Sequence, residues 1–174
     1  MSRTIESHSS NHRAMLRYAE ILNAGDADAL GEVLDRDYIQ VIPQSREVVR
    51  GIDNYAEIMR NWPAGENLEH PQPLAGRVVA TGEHDLVTAG VGYFPRHSVI
   101  RVDGEGDTLT AYLRTRYEDG SEWYVVSIAK LKDSKIVKEI MFFAPTFEQP
   151  EWRTPWAHLM SPDEERELLG YEFG

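Results

Sequence analysis

The sequence predicts an α+β fold in which a curved antiparallel sheet wraps around three helices, with an inserted hairpin and an extended C-terminal tail. Three observations carry this. Helical periodicity is concentrated in residues 11–62, and strand-like patterns take over from about residue 77 to residue 144. The stretch 123–144, WYVVSIAKLKDSKIVKEIMFFA, reads as two long strands, Trp123–Lys132 and Lys135–Ala144, around a tight turn at Asp133-Ser134. A hairpin this apolar needs a sheet beside it and helices over it.

Taken in order, residues 1–9 are polar and read as a flexible N-terminus. Ser10 can cap a helix over Asn11–Asn23, whose apolar face is Ala14, Met15, Tyr18, Ile21 and Leu22. Asn23-Ala24-Gly25 ends it, and Asp26 caps a short second helix, Ala27–Leu34. A strand at Tyr38–Ile42 stops at Pro43, and Val48-Val49 forms a brief second one. A third helix, Ile52–Trp62, carries Ile52, Tyr55, Met59 and Trp62 on one side and closes at Pro63. Residues 64–72 read as loop. Arg77–Thr81 and Leu86–Ala89 flank a GEHD turn, so 73–97 is expected to be an inserted hairpin. Ser98–Val102 and Thr108–Tyr117 follow, and Asp119-Gly120 turns the chain into Trp123.

Residues 10–144 are thus expected to form the domain and 145–174 a tail. Prolines at 145, 150, 155 and 162 space out Phe147, Trp152 and Trp156, and Ser161-Pro162-Asp163-Glu164 opens a short helix ended by Gly170. The two tryptophans need cover, from their own sheet or from a partner subunit.

At 174 residues, 41% hydrophobic and 27% charged, the chain suits one soluble domain. A net charge of -11 argues against nucleic acid as a partner. Without cysteine there is no thiolate nucleophile or Cys-based metal site, and no histidine pair or His/Asp/Glu cluster has ligand spacing. No secretory or membrane-length apolar run is present, so a cytoplasmic location away from membranes is expected.

Three ordered stretches resemble the SnoaL-like branch of the nuclear-transport-factor-2-like superfamily. They are Tyr18 followed by Asn23-Ala-Gly-Asp-Ala-Asp-Ala-Leu30, Arg50-Gly51 opening the third helix, and Lys132-Asp-Ser-Lys-Ile136, where relatives have a DGKI-like turn. The resemblance implies a cystatin-like cone with a pocket between concave sheet and helices, often in a homodimer built on the sheet's outer face. Its enzymes, among them ketosteroid isomerase and polyketide cyclases, do acid–base work without a cofactor. Other members bind ligands or proteins without catalysis. Fold alone does not choose between these.

By that resemblance Tyr18 matches the isomerase's oxyanion donor. A buried phenol can polarise a carbonyl, or it can be a core aromatic with a satisfied hydroxyl. Ile42 stands where the isomerase has its aspartate base, and Ser127 where it has a protonated aspartate. Serine donates a hydrogen bond but is a poor base. Alternation places Trp123, Val125, Ala129 and Leu131 on the Ser127 face, and Tyr124, Val126, Ile128 and Lys130 on a face apolar enough for a dimer.

Candidate acid–base groups are Glu139 and His97, with His12, Asp37, His70 and His84 behind them. Lys138 and Glu139 have opposite parity, so one points inward unless the strand bulges. The plainer expectation sends Glu139 to solvent or to an arginine. The expected ligand lining adds Met15, Leu22, Tyr38, Tyr55, Met59 and Trp62 to the Ser127 face. Arg114 and Arg116 read as a solvated edge, with Arg116 the candidate to reach an anionic group. Two functions stay open. One is a cofactor-independent isomerase, cyclase or dehydratase acting on a hydrophobic carbonyl compound. The other is a non-catalytic ligand-binding or dimeric interaction protein.

Overall fold

The computed structural model describes residues 9–62, 96–117 and 120–172. The expected hairpin over 73–97 lies outside these residues except for Arg96 and His97. So do the loop 64–72, His70 and His84, residues 1–8 and Asp119.

Helix α1 spans Ser10–Ala24 and is capped by Ser9, one residue before the expected Ser10; the Ser9 hydroxyl accepts from the His12 N–H at 3.2 Å. Gly25, at φ 66°, ends it in the left-handed conformation and returns its N–H to the last turn. The second expected helix is a shorter 3-10 segment, Ala27–Glu32, and strand β1 (Leu34–Ile42) begins at Leu34 rather than Tyr38. Its early residues, Asp35-Arg36-Asp37, are polar because the ladder to the neighbouring strand breaks between Leu34 and Ile39. β2 (Glu47–Arg50) and α2 (Ile52–Arg60) follow, and then β3 (Arg96–Asp103), β4 (Thr108–Arg116), β5 (Glu122–Lys132) and β6 (Lys135–Pro145).

The six strands form one curved, open sheet in the order β2-β1-β6-β5-β4-β3. β1 runs parallel to β6 and every other pair is antiparallel. Leu109, Ala111, Leu113 and Thr115 of β4 face the core, as do Val125, Ser127, Ala129 and Leu131 of β5. Against them α1 lays Met15, Tyr18, Ile21 and Leu22, each at most 4% exposed. Burying each such aliphatic contributes about 1.5–3 kcal/mol. Extra residues at Ile100 in β3 and Val137 in β6 interrupt the registers and bend the sheet towards the helices.

The tail docks on the convex side. A 3-10 turn, Glu151–Arg153, precedes helix α3 (Pro162–Leu169), which opens with the expected Ser161/Glu164 capping box. Glu165 accepts from the Tyr124 hydroxyl and lies 3.4 Å from Arg114, which also holds Glu122 at 2.6 Å. Beyond the helix the Glu172 N–H donates to the Ile100 carbonyl at 2.8 Å. The arginine face is therefore not a solvated edge throughout: Arg114 is 13% exposed at its side chain, inside an ion-pair network. Among the described residues no helix is long and apolar enough to cross a membrane.

Candidate functional site

Glu139 enters the core because Val137 is an extra residue. Leu131 pairs with Ile136, but Lys130 pairs with Lys138, so the strand skips one position. Ile136 and Glu139 consequently both face inward, while Lys138 faces out. The carboxyl is 1% exposed, which corrects the expectation that it reaches solvent or an arginine. Its Oε1 accepts from the Ser127 hydroxyl, two pair positions along the neighbouring strand and on the same face. Its Oε2 accepts from Tyr38 at 2.5 Å and lies 3.3 Å from the Tyr18 hydroxyl.

A wider network holds these donors. The Tyr18 hydroxyl is also 2.9 Å from that of Tyr55, so its single proton serves one of two acceptors. The Gln40 amide donates to the Tyr38 oxygen at 3.3 Å and contacts Met141 Sδ at 3.0 Å. Five elements meet here: α1, β1, α2, β5 and β6. Burial pushes the Glu139 carboxyl above the ordinary carboxylate range, and the donors from Ser127, Tyr38, Gln40 and Tyr18 only partly offset it. Burial, and then the Glu139 charge, holds Tyr18 and Tyr38 well above the usual phenol value. All the phenols are therefore neutral donors at pH 7.

The carboxyl borders a cavity of about 20 Å³, room for roughly one water. Its other walls are largely apolar, from Met15, Ala19, Leu22, Val99, Val102, Ala111, Leu113 and Met141, with Tyr18, Ser127 and His97 as the remaining polar groups. His97 is buried on β3, its Nδ1 2.8 Å from Thr115 Oγ1. Burial lowers its imidazole to about 4, so it is neutral at pH 7. Asn23 fixes its backbone, accepting from the His97 N–H at 2.6 Å and donating to its carbonyl at 2.7 Å. This asparagine, in the last turn of α1, thus ties the helix to the cavity wall.

Of the residues singled out from sequence, Met15, Tyr18, Leu22, His97, Ser127 and Glu139 line this cavity. Tyr38 and Tyr55 reach it through hydrogen bonds. Met59, Val125 and Ala129 are core residues. Trp62 and Trp123 instead flank Tyr117 in a separate aromatic cluster, at centroid distances of 6.5 and 5.7 Å. Arg116 is exposed at the end of β4 and is no part of the site. Gln40 went unnoticed in the sequence; its signal is a polar side chain two residues from Tyr38, on the same strand face. Among the described residues, no group of three His, Asp or Glu is placed to hold a metal ion.

A curved sheet that closes over a helix and a buried carboxyl at a small cavity defines the α+β cone class. The chain belongs to the SnoaL-like domain family, whose profile matches residues 15–139. An NTF2-like protein of unknown function from Burkholderia xenovorans is similar at 25% identity and TM-score 0.63, covering 87% of this chain and 96% of its own. A candidate ketosteroid isomerase from Kribbella flavida gives 14% identity and TM-score 0.64, over 95% and 96% of the two chains. An LEH-like epoxide hydrolase of M. tuberculosis gives 15% and 0.52, over 77% and 82%. The last two likenesses carry the fold alone. No curated protein sequence matches the chain significantly.

Proposed function

We propose that this protein is a cofactor-independent enzyme that moves a proton on a small hydrophobic carbonyl compound, as isomerases, cyclases and dehydratases do. The observation that carries the reading is the Glu139 carboxyl, buried at an apolar cavity with the Tyr18 hydroxyl within 3.3 Å. A carboxyl raised towards neutrality is a stronger base when ionised, and a competent acid once it has taken the proton. In the step proposed, the carboxylate removes a proton from the carbon beside the carbonyl. The developing enolate oxygen accepts from Tyr18, and Glu139 returns the proton to carbon as the carbonyl re-forms. Ser127 and Tyr38 hold the carboxyl in place. The family resemblance pointed to Ile42 and Ser127 as the places of missing acids; in this reading the acid comes from the next strand and Ser127 bonds to it.

The alternative is a non-catalytic pocket or interaction protein, and one observation favours it: a cavity of about 20 Å³ is far below the roughly 300 Å³ of small ligand pockets. Met15 and Met141 are the walls best able to swing aside, since a thioether chain repacks easily. Exchange of α-hydrogens for deuterium, followed by NMR on a panel of cyclic ketones and enones, separates the two. Wild type is expected to exchange at least one compound, Glu139→Gln to slow that exchange by about 10²–10⁴-fold, and Tyr18→Phe to slow it less. Equal rates for wild type and Glu139→Gln, or no exchange across the panel, would overturn the enzyme reading.

A further inference from the structure

Gln40 is a buried amide, one of whose protons goes to a poor acceptor. It stands on the concave face of β1, directly opposite Glu139 of β6, and is 5% exposed. The surrounding bonds fix which end of the amide faces Tyr38. Tyr38 gives its only proton to Glu139 at 2.5 Å, so the group 3.3 Å from the Tyr38 oxygen has to be a donor, the Gln40 nitrogen. The second N–H on that nitrogen meets Met141 Sδ at 3.0 Å. A thioether is a weak acceptor, and a buried donor matched to one gains when a carbonyl oxygen replaces it.

Met141 is also a wall of the cavity, opposite Ser127, whereas Gln40 is not among the walls. Of the donors around the carboxyl, Ser127 and Tyr38 are committed to Glu139. Tyr18 and Gln40 are left, 3.5 and 3.3 Å from the Tyr38 oxygen, close enough to converge on one ligand atom. We infer that Gln40 is the second donor to the ligand's carbonyl oxygen, beside Tyr18, and that Met141 holds its N–H until the ligand displaces the thioether. This role rests on the reading that the cavity takes a carbonyl compound. It makes Met141 a placeholder as well as a wall: its flexible chain repacks, and a better acceptor takes the place of the sulfur. The amide is uncharged and keeps its protons, so it polarises an oxygen without competing for the proton that Glu139 moves.

Binding of cyclohexanone and of methylenecyclohexane, the same ring without the oxygen, tests this. Both are titrated into protein with 13C-methyl methionine, and Met141→Leu assigns the Met141 signal, which the ketone should shift. Gln40→Leu should lower the ketone-to-alkene affinity ratio about three- to tenfold, and Tyr18→Phe should lower it separately. Met141→Ala should raise the ratio, and only while Gln40 is present. In wild type the Gln40 side-chain 15N–1H signals should move with the ketone and not with the alkene, a readout that needs no variant at that position. A ratio unchanged by Gln40→Leu, or amide signals that respond alike to both compounds, would overturn the Gln40 role and leave the enzyme reading standing. Ketone binding through Gln40 without Glu139-dependent exchange would do the reverse. Failure of both compounds to bind wild type and Met141→Ala would overturn both.

Discussion

Tyr38→Phe isolates what the Tyr38 donor does for Glu139. The ring is wholly buried and the substitution keeps its shape, so the main change is the loss of the 2.5 Å hydrogen bond to Oε2, with the longer contacts to Gln40 at 3.3 Å and Tyr18 at 3.5 Å. Gln40 loses the Tyr38 oxygen but keeps Met141 Sδ at 3.0 Å. A bond to a neutral carboxyl contributes about 0.5–1.5 kcal/mol, and one to an ionised carboxylate about 1.5–3. The cost should therefore be about 1 kcal/mol below the Glu139 midpoint and about 2 kcal/mol above it, so that the midpoint itself moves further up. The sign is fixed by linkage: a folded carboxyl raised further above its unfolded value loses more stability as pH rises. Urea unfolding on either side of that midpoint, with a constant denaturant slope, measures it. An equal loss on both sides, or a larger one on the acid side, would refute the reasoning.

Other perturbations probe the surroundings. His97 falls from 6.5 to about 4 on folding, so its contribution is full above 6.5 and is lost as pH drops through about 4, up to about 3 kcal/mol; His97→Gln should flatten that acid limb in denaturation curves. Glu139 acts with the opposite sign, contributing most below the ordinary carboxylate range and least above its folded value, so Glu139→Gln should gain on wild type as pH rises. Ser134 sits at φ 58° in the β5–β6 turn, and Ser134→Gly should add about 0.4–1 kcal/mol, seen as a raised Tm. Glu165→Ala should speed hydrogen exchange over residues 161–172 and leave α1 unchanged; faster exchange throughout would show that α3 is integral to the core.

The sheet and the helices were legible because their patterns are local. Alternation in β4 and β5 separated Leu113 and Ser127 from Arg114 and Ile128, and the apolar stripe of α1 named the helix face that meets them. Glu139 was legible only as a question. Alternation says that Lys138 and Glu139 face opposite ways, but a one-residue bulge at Val137 decides which faces in, and the sequence does not mark it. The polar run Asp35-Arg36-Asp37 hid the start of β1 for a related reason: those residues lie where the ladder to β6 breaks. The Arg114 network was illegible because its partner Glu165 lies 51 residues away, on a tail whose path depends on tertiary contact. Ser127 was noticed for the acid it lacks, and the structure shows it bonded to the acid on the next strand.

The central claim is that burial holds the Glu139 carboxyl above the ordinary carboxylate range. Side-chain carboxyl NMR of uniformly 13C-labelled protein, with Glu139→Gln to assign the resonance, measures its titration directly. The account predicts a midpoint above the ordinary 4.5 of glutamate, moving higher still in Tyr38→Phe. A midpoint at or below 4.5 would mean that the donors outweigh burial, leaving a stabilised carboxylate too weak a base for the proposed reaction.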